Sequence, residues 1–149
     1  MNAFGLNGFW RLAGLVVALV IGMTGMAQAA GWYEPARGSA ERKAILDAVR
    51  PVIEAQMDGP VEFVIRDLRV EDGWAFLVAD PQRPGGGAID PRSTRFGEDA
   101  SFMDGLTVYA LVLWANERWH LADHVVGPTD VAFEPWPQLY GAPLGIFGF

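Results

Sequence analysis

The sequence predicts an α+β domain: one main helix packed on an antiparallel sheet of about four strands. Three observations lead there. A single apolar stripe of helical period follows Ser39, a strong hairpin signal sits at Asp72-Gly73, and a second turn interrupts apolar sequence at Asn116-Glu117.

The helix comes first. Ser39 is suited to cap its free amide groups, and Glu41 suits the positive end of its dipole. Ile45, Ala48, Val49, Val52 and Ile53 recur every three or four residues, whereas Arg42, Lys43, Asp47, Arg50 and Glu54 take the other side. Pro51 removes one backbone donor, which predicts a kink or break near Asp47 to Arg50, and Gly59-Pro60 ends the element.

Val61 to Val70 is rich in β-branched and aromatic residues and reads as a strand that turns at Asp72-Gly73 and returns through Trp74 to Ala79. Val61, Phe63 and Ile65 share one parity, but Leu68 and Val70 have the other. A bulge near Arg66-Asp67 reconciles them. Leu106 to Trp114 is apolar on both faces and suits a central strand. From Trp119 to Val126 the chain either returns as a fourth strand or winds as a helix, with Arg118, Leu121, Ala122 and Val125 on one side; the tight turn before it and Gly127-Pro128 after it favour the strand. Between the hairpins, residues 80–105 hold Pro81, Pro84, Gly85-Gly86-Gly87 and Pro91 with no durable period. That long loop is either a mobile connector or a binding lid. The tail from Thr129 to Phe149 alternates proline, glycine and aromatics, and is expected to pack as short turns or one helical turn over a sheet face.

Residues 1–30 have the character of a signal peptide. Arg11 precedes an apolar run from Leu12 to Met23, and Ala27-Gln28-Ala29 gives the small-x-small pattern of a cleavage site, so residues 31–149 are expected to form a single exported domain. An uncleaved membrane anchor is the competing reading, weakened by Gly14, Gly22, Thr24, Gly25 and Gln28. Periplasmic or secreted localisation follows, with no membrane contact once the leader is removed.

The formal charge is −7, and cleavage would take Arg11 away and leave −8. Such a domain is repelled by phosphate backbones, so nucleic acid is not an expected partner. The chain has no cysteine, which excludes disulfides, thiolate metal sites and thiol chemistry. Packing must hold it together, and six Trp, nine Phe and three Tyr supply the apolar surface.

Three segments, Arg42-Lys43-Ala44-Ile45-Leu46-Asp47-Ala48-Val49-Arg50, Gly73-Trp74-Ala75-Phe76 and Val125-Val126-Gly127-Pro128-Thr129-Asp130, carry a resemblance to small exported bacterial proteins of uncharacterised function. More loosely, the chain resembles the cystatin-like and nuclear-transport-factor-2-like folds. The cystatin-like resemblance implies a two-layer helix-on-sheet arrangement. The other implies a cone with a pocket, but the single long helix here departs from the several that build that cone.

The sharpest candidate chemistry is His120-Leu121-Ala122-Asp123-His124. On a helix the two imidazoles would share a face and could share a metal; on a strand they share a face about 13 Å apart, too far for one ion with bonds near 2.1 Å. No metal or cofactor is therefore expected. Asp123 points away from a strand-borne His124, so an acid-base pair would need Asp99, Asp104, Asp130 or Glu134. There is no nucleophile elbow around Ser39, Ser93 or Ser101, and Gly85 to Gly87 lacks the ending of a phosphate loop. Arg66 and Arg69, with Arg92 and Arg95, either form an anion pocket or pair with surface carboxylates. Trp114, Trp119, Trp136 and Tyr140 are expected in core and tail packing.

These readings predict a non-enzymatic binding or interaction module acting through a sheet face, the long loop, or both. The partner is a protein or small molecule of the cell envelope, and no residue is assigned a catalytic role. Weak ligand-binding candidates are His120, His124, Arg92 and Arg95. The alternative is a small-molecule-binding protein or enzyme of the related cone-shaped fold, using His120 or His124 with a carboxylate.

Overall fold

The computed structural model describes residues 31–148. The expected leader over residues 1–30 lies outside them.

Helix α1 spans Ala40–Met57, and Ser39 caps it by accepting the Arg42 amide on Oγ at 3.1 Å. Ile45, Val49, Ile53 and Met57 form its fully buried stripe. Pro51 does not break the element, contrary to expectation. Its ring lies on the exposed side, so the buried stripe continues past it undisturbed. Asp58 then turns left-handed at φ 55°, ending the helix one residue before Gly59.

Four strands follow: β1 (Glu62–Glu71), β2 (Trp74–Gln82), β3 (Val108–Ala115) and β4 (Arg118–Val126). They pair antiparallel in chain order, so the two-layer α+β class and the β-assignment of residues 118–126 are both as predicted. Two-residue turns join each hairpin, with positive φ at Asp72 and Gly73 in one and at Asn116 and Glu117 in the other. β2 tolerates Pro81 because β3 pairs with it only as far as Ala79.

Each outer strand carries a bulge. In β1 the register shifts between Ile65 and Asp67, leaving Arg66 as the extra residue and bringing Phe63, Ile65, Leu68 and Val70 onto one face as predicted. In β4 Leu111 pairs with Asp123 but Val112 with Leu121, so Ala122 is the extra residue. Nothing in the local sequence signalled that second shift.

The face of the sheet beneath α1 buries Leu68, Val70, Ala75, Leu77, Ala79, Val108, Ala110 and Val112. The opposite face is closed by the tail, where helix α2 (Trp136–Tyr140) and a 3₁₀ turn at Leu144–Ile146 press Trp136, Ala142, Ile146 and Phe147 onto Phe76 and Leu111. Phe76 is the hub of this cluster: its ring centroid lies 4.9 Å from Phe147, 5.0 Å from Phe133 and 6.3 Å from Trp136. The tail covers the middle of that face, whereas Val64 at its β1 margin is 48 % exposed and a concavity lined by Arg66, Asp80, Thr107 and Tyr109 lies alongside.

The connection from β2 to β3 is folded against the end of α1. Arg83 donates through Nη2 to the Met57 carbonyl at 2.8 Å and through Nη1 to that of Pro60 at 3.1 Å, and the Arg95 amide donates to Gln56 at 3.0 Å. The carbonyls of Gln56 and Met57 are among those that a helix terminus leaves free, and Pro60 lies just beyond it. Two 3₁₀ turns, Pro91–Ser93 and Gly97–Phe102, shape the rest, with Ile89 and Thr94 buried.

Candidate functional site

The Ala122 bulge reverses the alternation of β4 between its two histidines. His124 lies opposite Ala110 on the helix face and His120 opposite Leu113 on the tail face, so the two do not share a face as a regular strand requires. His124 Nε2 meets Gln56 Nε2 of α1 at 2.9 Å, while His120 Nε2 is 3.0 Å from the Ala115 carbonyl and 3.1 Å from Arg118 Nε. Asp123 turns to the tail face and accepts the Tyr140 hydroxyl at 2.6 Å. Of Asp99, Asp104, Asp130 and Glu134, none contacts either imidazole.

A neutral His124 can exchange one hydrogen bond with the Gln56 amide through Nε2, its direction set by the imidazole tautomer and the orientation of the amide. Burial beneath α1 lowers the His124 pKa from its ordinary 6.5, and the nearby Asp123 carboxylate offsets this only in part. A base whose pKa is lower folded than unfolded binds protons better when unfolded, so stability is full above pH 6.5 and falls as pH drops through the window below it. The expected result is a urea midpoint that declines from pH 7 to pH 5. In His124→Gln that part of the decline is absent, which parallel titrations of both proteins will check.

The four arginines do not converge. Arg66 pairs with Asp80 at 2.5 Å, whose other oxygen accepts from Thr107 at 2.7 Å. Arg69 pairs with Asp67 at 2.9 Å and stacks on Trp32 at 4.5 Å. Arg92 and Arg95 are exposed on the long connection, and neither lines any of the four main cavities.

A different constellation is assembled at the end of the molecule where α1 begins and both hairpins turn. The Tyr33 backbone pairs with Val70 as a one-residue extension of the sheet, exchanging hydrogen bonds of 2.9 and 2.8 Å, and this directs its ring to the helix side. The Tyr33 hydroxyl donates to Glu41 Oε1 at 2.8 Å, tying that ring to the first turn of α1. Trp114 and Trp119 face each other across the second hairpin, 5.5 Å apart and inclined at 65°, and the Trp114 amide donates to the Gly73 carbonyl in the first. Ala40 and Ala44 keep the adjoining helix surface low.

The result is an open groove of about 480 Å³ walled by Tyr33, Glu41, Trp114 and Trp119, with Val70 and Gly73 completing it. Trp114 is 48 % exposed and Tyr33 49 %, whereas Trp119 is 9 % exposed and Trp136 4 %. The expectation of core packing therefore fits Trp119 and Trp136 but not Trp114. The hairpin spacing held the clue: a two-residue turn at Asn116-Glu117 makes residues 114 and 119 partners on one face. No sequence signal placed Tyr33 or Glu41 beside them. Comparison with known proteins finds no matching family model, curated protein or solved structure.

Proposed function

We propose that this chain is an exported binding domain of the cell envelope, periplasmic or secreted and without catalytic activity of its own, that takes its ligand in the groove beside Trp114. The observation that supports this reading is the exposed ring of Trp114, fixed at a junction of helix and hairpin turns beside a second exposed aromatic, Tyr33. Concave sites with mostly apolar walls and a few placed polar groups are where small molecules and peptide segments bind. The helix and the tail cover the middle of the two sheet faces, and among the described residues this groove is the concavity lined by two tryptophans and a tyrosine.

Thermal-shift screening of small molecules and short peptides tests the proposal. Compounds that raise the melting temperature of the purified protein are expected to lose most of that shift in Trp114→Ala, because stabilisation by a ligand requires occupancy of the folded site. If every stabilising compound acts equally on both proteins, the groove is not the binding site.

A further inference from the structure

We propose that the groove selects a quaternary ammonium group, an inference that rests on the groove being the binding site and adds the chemical class of what enters it.

Two other exposed or partly exposed aromatics carry a cation on the ring, whereas among the described residues Phe102, 79 % exposed, and Tyr140 do not. The Arg50 guanidinium stands 5.2 Å from the centroid of Phe63, and that of Arg69 stands 4.5 Å from Trp32. Over the rings of Tyr33, Trp114 and Trp119 no cationic side chain stands among the described residues. The lining holds one carboxylate, Glu41, and no lysine, arginine or histidine.

Charge complementarity therefore points to a positive ligand. Aromatic faces attract cations through their quadrupoles, tryptophan most strongly, and the accessible rings here are those of Trp114 and Tyr33, with Trp119 packed behind Trp114. Glu41 adds a full negative charge at the wall, and the turns that carry Gly73, Trp114 and Trp119 contribute Asp72 and Glu117 at positions left exposed to solvent. The basic residues adjoining the lining in sequence are engaged elsewhere: Arg118 meets His120 on the opposite face, Arg42 pairs with Glu34, Lys43 with Asp47 and Arg69 with Asp67.

The polar chemistry of the walls narrows the class of cation. An ammonium or guanidinium brings several N–H donors, each needing an acceptor once water is displaced. The groove's side chains supply few: the Trp rings only donate, and the Glu41 oxygen nearest the ring already accepts from Tyr33. A cation without N–H bonds makes no such demand and meets the rings through its methyl groups. The shared chemistry is a trimethylammonium head, either on a free solute or on a choline phospholipid.

Tryptophan fluorescence titration of the purified protein with choline, beside its uncharged isostere 3,3-dimethylbutan-1-ol, measures the charge selection directly. Choline is expected to bind about tenfold more tightly than the isostere. Trp114→Ala should abolish the saturable signal, and Glu41→Gln, whose amide oxygen can still accept the Tyr33 hydroxyl, should weaken choline roughly threefold without altering the isostere. Cosedimentation with phosphatidylcholine vesicles separates the sources: pelleting that free choline competes away assigns the lipid head, and choline binding without pelleting assigns the free solute. Equal affinity for choline and its isostere, no saturable choline binding, or choline binding that survives Trp114→Ala would each overturn the inference. Ligands that depend on Trp114 in the thermal-shift screen would still uphold the groove after any of these results.

Discussion

Phe76→Ala is expected to destabilise the protein by about 3–5 kcal/mol, the range for removing a large buried ring from a packed interior. Phe76 is 2 % exposed and touches rings from three segments of chain: Tyr109 on β3, Phe133 and Trp136 at the start of the tail, and Phe147 near its end. Truncation leaves a cavity that the tail cannot fill by sliding, because Tyr140 is pinned to Asp123 and the Phe147 amide closes a turn on Leu144. Urea unfolding of both proteins supplies the comparison. A loss below about 1 kcal/mol would mean that the tail contributes little and that α1 alone holds the sheet.

Gly127→Ala should be comparably damaging, by about 2–5 kcal/mol, through a different cause. The residue has φ 56°, and an added Cβ would lie 2.3 Å from the Gly105 carbonyl oxygen. Left-handed backbone costs an L-residue about 1–2 kcal/mol, and overpacking typically adds about 1–3 kcal/mol. The clash cannot relax freely: the Gly127 amide donates to Thr107 and its carbonyl accepts the Asp104 amide, so separation would break the junction that closes the long connection. Gly105→Ala serves as the control, since φ there is 71° but nothing lies within 4 Å of the added carbon. Its loss should be confined to the backbone cost. Equal midpoints for the two variants would remove the steric argument.

Much of the fold was legible because its signals were local. Ser39, the Ile45, Val49, Ile53 stripe and the Asp72-Gly73 turn each act over a few residues, and the parity conflict between Ile65 and Leu68 exposed the first bulge. The second bulge was hidden, because Leu121, Ala122 and Val125 offer no comparable conflict and both faces of β4 are only half-buried. The placement of His120 and His124 went wrong for that reason alone. Pro51 misled through a rule that holds when the lost backbone bond decides the outcome; here the buried stripe outweighs it. The groove was least legible. Tyr33 and Glu41 lie far from Trp114 in sequence, and they meet it only because one bridge at Val70 and one turn bring the segments to the same end.

The paired bulges also bear on how this protein behaves among copies of itself. β1 and β4 are the margins of an open sheet, where unpaired amides and carbonyls invite another strand to dock. Arg66 and Ala122 interrupt those margins, so neither presents an unbroken ladder longer than the five residues from Asp67 to Glu71. Tyr33 occupies part of that stretch by bridging Val70. Those interruptions shorten the template that a further strand would need, at both margins of a sheet that has no disulfide to reinforce it.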